Sequence, residues 1–259
     1  MAIADSAAAH FDIGRVVGRT FSVIKNNPIT FGALSLVVAI PYLTVSWNSA
    51  QFRGGFFRAG QFDSNAMMFL AISWFIYLLS TFLLQATVIH ATVAYLNGKP
   101  ASVANCLTTG LSSLIQLVLI AVLMFTALIV GMMLFVIPGI ILAIMWFVAV
   151  PACVVERTGV IGAFGRSREL TRGHRWAIFG LYVVFLIFSI GFAVALQTPS
   201  TFEDAFSVAT NPSVTQIAVS VIITTITATV GSTLVGSIYY ELRQIKDGIG
   251  PEALASVFD

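Results

Sequence analysis

The feature that most constrains this chain is where its charges are absent. No Asp, Glu, Lys or Arg occurs between Lys25 and Arg53, between Asp63 and Lys99, between Lys99 and Glu156, between Arg175 and Glu203, or between Asp204 and Glu241. A hydrocarbon layer of about 30 Å is crossed by roughly 20 apolar helical residues. Four of the gaps hold one such helix each, near residues 28–48, 67–96, 176–197 and 214–240. The gap after Lys99 is long enough for two. It is interrupted at Pro138-Gly139, where proline withdraws a backbone donor and glycine allows a tight turn. That break predicts spans near 112–135 and 139–155, joined by a short hairpin. The expected fold is all-α: a polytopic integral membrane protein with six transmembrane helices, forming a single membrane domain over residues 1–259. Only 9% of the residues are charged, against about 25% in soluble domains, so a soluble fold and a disordered chain are both excluded. Net charge is +2, which offers no bulk argument for nucleic acid.

Cations orient such a chain. With both termini on one side, that side collects Arg15, Arg19, Lys25, Lys99, Arg157, Arg166, Arg168, Arg172, Arg175, Arg243 and Lys246, leaving only Arg53 and Arg58 opposite. Both termini are therefore expected in the cytoplasm, in a bacterial inner membrane. Residues 1–27 make too long a polar leader for a signal peptide, so the first span is expected to be an uncleaved anchor. Cys106 and Cys153 fall at cytoplasmic span ends and read as reduced packing residues. The outer loops, near 48–65 and 198–213, are too short to be domains.

Three segments on the cationic side alternate with helical period: 12–26, 100–111 and 159–173. In the first, Ile13, Val16, Val17, Phe21, Val23 and Ile24 share an arc opposite Arg15, Arg19, Ser22 and Lys25. In the second, Val103, Ala104, Leu107 and Leu111 oppose Ser102, Asn105, Thr108 and Thr109. In the third, Val160, Phe164 and Leu170 oppose a largely charged side. Each predicts an amphipathic helix lying at the cytoplasmic membrane surface. Each precedes an out-and-back pair of spans, which suggests a threefold repeat of helix plus hairpin. Ile13-Gly14 and Phe31-Gly32 match Ile161-Gly162 and Phe179-Gly180 at one constant offset.

Candidate chemistry is sparse. His90, with Gln85 in the same span and Gln116 in the next, is the intramembrane polar candidate. A polar cavity lined by these three would mark a transporter or channel for a small or lipid-like solute, the alternative function. The simpler expectation is a neutral histidine bonded to a neighbouring helix. Ala228, Ser232 and Gly236 recur every four residues in the last span, a spacing that lets helix backbones approach closely. The densest polar cluster supplies Arg166, Arg168, Arg172, His174, Arg175 and Trp176 just before the fifth span. Those cations are candidates for anionic lipid headgroups, and Trp176 for an interfacial anchor; the same residues would serve if they only set topology. The histidines lie in three separate regions, and no metal, phosphate-loop or nucleophile motif occurs. No catalytic residue, metal or cofactor is expected. The expected partners are membrane lipids, with a second copy or another membrane protein as further candidates.

The run Val136-Ile137-Pro138-Gly139-Ile140, then Val150-Pro151, Val155-Glu156, Gly162-Ala163, Arg166-Ser167 and Leu170-Thr171-Arg172-Gly173-His174-Arg175-Trp176, resembles the membrane domain of glycerophosphoryl diester phosphodiesterases. The leader Phe11-Asp12-Ile13-Gly14 fits the same family. The family includes stand-alone bacterial membrane proteins. In its fused enzymes hydrolysis belongs to a separate barrel domain, which this sequence lacks. The resemblance thus implies membrane architecture and a link to lipids, with no catalytic residue to carry over. The resulting expectation is a non-enzymatic inner-membrane module or accessory factor.

Overall fold

The structure, a computed structural model, describes residues 11–59, 64–100, 102–134, 136–197 and 213–248. Among these residues it is all-α. The helices are α1 (Ile13–Asn26), α2 (Pro28–Ala59), α3 (Ser64–Leu96), α4 (Val103–Leu134), α5 (Val136–Met145), α6 (Ala149–Glu156), α7 (Gly159–Thr171), α8 (Arg175–Gln197) and α9 (Val214–Asp247). Six segments are long and apolar enough to cross a membrane: Pro28–Ser49, Met67–Leu96, Val103–Met133, Pro138–Glu156, Arg175–Leu196 and Val214–Asp247. Their outer faces keep large apolar side chains exposed, among them Ile29, Phe125, Met133 and Phe188. A water-facing surface does not carry so continuous an apolar cover. The protein is a multi-pass membrane protein.

Local sequence sets the element ends. Asp12 caps α1, its carboxylate accepting from Arg15 N at 3.1 Å. Pro28 opens α2, at the position where a missing N–H costs nothing. Ser213 and Gln216 form a reciprocal capping box at the start of α9. The hairpin between α4 and α5 depends on glycine: a Cβ on Gly139 would stand 2.8 Å from Met132 Cγ, and one on Gly131 would stand 3.3 Å from Gly139 Cα. Pro138 falls in the first turn of α5, where its absent donor is unneeded.

Two expected elements are built differently. Residues 100–111 are not a separate surface helix. From Val103 onward they are the first turns of α4, which runs unbroken into the span. The reason is a buried stripe of Cys106, Gly110, Ser113, Leu117 and Ile120, whose first members, Cys106 and Gly110, pack on α3. The arc expected to face the membrane surface instead ends at Leu111, which is 60% exposed. The span near 139–155 is not one helix either. It is α5 plus α6, broken at residues 146–148. Pro151 sits in the first turn of α6, so the helix restarts just upstream of it. The surface-helix-plus-hairpin pattern therefore holds for α1–α3 and α7–α9, and the middle unit departs from it. The outer loops lie partly outside the described residues: Phe62 in the first and Phe202, Glu203, Asp204 and Phe206 in the second.

The main core gathers Val16 of α1, Val148 and Cys153 around α6, Leu170 of α7, Ile178 of α8 and Ile238, Tyr239 and Leu242 of α9. A second cluster joins Val23, Phe31, Leu34, Leu84 and Val88 of α1, α2 and α3. The main core lies towards the end of the bundle that carries α1, α7 and the last turns of α9, here called the polar end.

Candidate functional site

The polar end is organised by acidic side chains from the spans. Glu241 of α9 is 1% exposed. Its Oε1 accepts from Arg15 Nε at 2.9 Å and lies 2.6 Å from a second Arg15 nitrogen; its Oε2 pairs with Arg19. The Arg19 guanidinium also sits over the Tyr240 ring, 5.2 Å from its centre. A buried carboxylate is tolerated only when charge and hydrogen bonds compensate its desolvation, and α1 supplies both. Residues 15 and 19 are adjacent on one face of a helix, so both cations reach one acceptor. α1 is amphipathic as expected, but its two arcs are used differently. Its buried line is Val16, Thr20 and Val23, its arginines turn towards α9, and Ile13 and Phe21 stay exposed.

Glu156, at the end of α6, organises a second network. Its Oε1 accepts from Tyr239 Oη at 2.6 Å, and its two oxygens accept from Arg166 Nε at 3.1 and 2.9 Å. Arg166 also pairs with Asp247 and reaches Glu169 at 3.3 Å. Arg243 Nε stands 3.5 Å from Asp247 and 4.0 Å from Glu156, a Coulombic contact without hydrogen-bond geometry. Burial works against the Arg166 charge, but hydrogen bonds to Asp247 and Glu156 outweigh it and hold the guanidinium pKa above its ordinary value. Arg166 therefore stays charged and engaged inside the protein.

The break between α5 and α6 is closed from α7. Ser167 Oγ donates to Met145 O at 2.9 Å and accepts from Val148 N at 3.2 Å. Thr171 Oγ1 donates to Ser167 O at 2.9 Å and approaches Met145 O at 3.3 Å. Irregular backbone away from water needs such partners. The turn also spreads two aromatics: Trp146 against Phe164 of α7 and Phe147 against Tyr182 of α8, with ring centres 4.8 and 5.3 Å apart.

The structure divides the basic segment. Arg168 and Arg172 are exposed and, among the described residues, form no ion pair. Trp176, which follows them in the sequence, is 80% exposed. His174 stacks on Phe11, with 6.1 Å between ring centres. Arg175 Nε is buried without a hydrogen-bond partner. The intramembrane trio is not brought together. Gln116 Oε1 faces Cys153 Sγ at 3.4 Å. His90 lines a cleft at the polar end whose walls include neither Gln85 nor Gln116, and its Nδ1 is buried without a partner. The expected bond from His90 to a neighbouring helix is therefore not formed at Nδ1. The small-residue stripe of α9 packs on α3: a Cβ at Gly236 would stand 3.2 Å from Thr92, and Ser232 and Ala228 lie along the same packed helix.

Glu156, Glu241, Asp247, Tyr239 and Ser167 are the organising residues that sequence reasoning missed. The available signal was that Glu156, Glu169, Glu241 and Asp247 all fall on the arginine-rich side of the charge map. Topology reasoning counts cations and discounts acids, so their pairing went unread. Among the described residues no group of three His, Cys, Asp or Glu could hold a metal ion.

A family model described as a domain of unknown function, DUF7847, matches residues 11–242. No curated protein and no solved structure matches the chain.

Proposed function

The chain belongs to the DUF7847 family, and from its geometry we propose that it is a non-enzymatic inner-membrane module, an accessory factor whose polar end contacts anionic phospholipid headgroups from the cytoplasmic side. The observation that carries this reading is the sorting of its cations. Arg15, Arg19 and Arg166 are held by carboxylates, while Lys25, Arg168, Arg172 and Lys246 are exposed at the same end. In the sequence Arg168 and Arg172 lie between Ile161 and Trp176, apolar side chains 84% and 80% exposed. A cation beside an exposed aromatic suits the headgroup layer. The non-enzymatic reading is supported by the state of two buried acids: Glu156 and Glu241 are occupied by guanidinium and phenol donors, so neither carboxylate is free to act as a base. Packing of the α9 stripe onto α3 favours a filled bundle over a pore. The resemblance of residues 136–180 to the membrane domain of glycerophosphoryl diester phosphodiesterases supports a lipid setting.

The test measures melting temperature of the purified protein in bilayers of anionic or zwitterionic lipid. Anionic lipid should stabilise more, and the gain should fall with salt, because exposed charges are screened within about 8 Å at physiological ionic strength. Arg168→Gln with Arg172→Gln should reduce the gain, at about 1 kcal/mol per cation, without unfolding the protein. Equal stabilisation by both lipids, in wild type and variant, overturns the headgroup role. Purified protein should also leave glycerophosphodiesters intact. Turnover that survives purification and vanishes in a point variant overturns the non-enzymatic reading.

A further inference from the structure

The cleft beside His90 is separate from the basic segment and unused by the networks above. It has a volume of about 300 Å³ and opens where the α3–α4 turn meets the end of α6. That is at the lower limit of cavities that hold small ligands. Lys99 and Arg157 line it from two different elements, together with Asn97, Asn105 and His90. Cys106 and Val154 give it an apolar floor. Both cations are exposed, and neither forms an ion pair among the described residues. Two like charges converging without an acid between them make a place where an anion is stabilised. The buried Nδ1 of His90 adds a polar atom whose hydrogen-bonding capacity is unmet.

The backbone supplies an independent sign. Arg157 closes α6 in the left-handed region, at φ 53°, and is the only residue other than glycine with positive φ among the described residues. Helix ends usually place glycine there, because a Cβ is strained in that region. Strained residues of this kind gather at binding sites, where the side chain rather than the backbone is wanted.

We infer that this cleft binds the phosphate of an anionic phospholipid headgroup, with Lys99 and Arg157 as its charged contacts and the apolar floor against the glycerol end. The inference rests on the lipid-facing reading of the polar end but uses different residues. A phosphate could also come from solution, so the experiment separates the two sources.

Wild type, Lys99→Gln, Arg157→Gly and the Arg168→Gln/Arg172→Gln pair are each placed in mixed phosphatidylglycerol and phosphatidylcholine bilayers and extracted into mild detergent. Retained lipid is then counted by native mass spectrometry, with and without millimolar inorganic phosphate. Wild type should keep phosphatidylglycerol preferentially. Lys99→Gln and Arg157→Gly should each lower that retention on the order of fivefold, about 1 kcal/mol per cation. Arg157→Gly removes the charge while relieving the backbone, so its melting temperature should not fall, and lost retention cannot be put down to misfolding. The Arg168/Arg172 pair should leave the lipid retained through extraction in place, because a headgroup contact on an exposed face is lost in detergent whereas one in the cleft is kept. Retention unchanged in both cleft variants overturns the inference. If it falls only in the Arg168/Arg172 pair, the headgroup reading stands and the cleft does not. If no variant alters it and no lipid preference exists, both fail. Complete displacement of lipid by inorganic phosphate assigns the cleft to a soluble anion and overturns the lipid assignment.

Discussion

Ser167 has a hydroxyl that serves both sides of the α5–α6 break. Ser167→Ala leaves the Val148 amide buried without an acceptor, an error that costs about 1–3 kcal/mol. Denaturant unfolding in detergent should show that loss, and Thr171→Val should cost less because Met145 O keeps its bond from Ser167. Equal stability of Ser167→Ala and wild type would mean the break is satisfied by other means. Glu241 gives the second residue-scale prediction. Glu241→Ala leaves two guanidiniums facing apolar α9 surface. Removing one partner of a fully buried pair costs about 3–5 kcal/mol. Here Arg15 is 43% exposed and Arg19 22%, so both can reach water and the loss should be nearer 2 kcal/mol. The same variant should free α1, read as faster amide hydrogen exchange over residues 13–26. Unchanged exchange there would show that Val16 and Val23 alone hold the helix.

At the scale of elements, the α3–α4 contact is set by a missing side chain. A Cβ on Gly110 would stand 2.6 Å from Thr87 Cγ2 and 2.9 Å from Leu83 Cδ1. Thr87 is fully buried, and its β-branched side chain has little rotamer freedom in a helix. Gly110→Ala should therefore destabilise, overpacking costing about 1–3 kcal/mol against a helix-propensity gain of about 1 kcal/mol. Thr87→Ser deletes the clashing methyl and keeps the hydroxyl that donates to Leu84 O. In that background Gly110→Ala should be neutral or stabilising. Additive effects in the double-mutant cycle would place the close approach elsewhere. This contact is also why residues 103–111 continue the span: the helix is committed to α3 before it reaches the membrane interior.

At the scale of the molecule, the 11-to-2 division of cations leads to a topological prediction. Reporters active only in the periplasm, fused at either terminus, should be silent, and cytoplasmic reporters should be active. A periplasmic signal from either end would break the proposed orientation. The structure adds a reason why the polar end stays together: α9 crosses the bundle and ends among α1, α6 and α7, tying Arg15, Arg19, Tyr239 and Arg166 into adjoining networks.

Six apolar segments, the hairpin at Pro138-Gly139 and the helices α1 and α7 ahead of their spans were legible in the sequence, because each depends on near neighbours: the length of a charge-free run, a lost backbone donor, the period of a helix. What tertiary structure alone decided is which polar groups meet. The partners Arg15 and Glu241 lie 226 residues apart, and Tyr239 and Glu156 lie 83 apart, distances at which no period or spacing carries information. The break at 146–148 has one local cause, Pro151, which cannot bond to the carbonyl of Phe147 in a continuous helix. What satisfies the open turn is not local: a serine from another helix accepts and donates at its two open ends. Lys99 and Arg157 likewise share a cleft only because α6 ends beside the α3–α4 turn. Hydrophobic length is written along the chain, whereas compensation of buried charge and backbone is written across it.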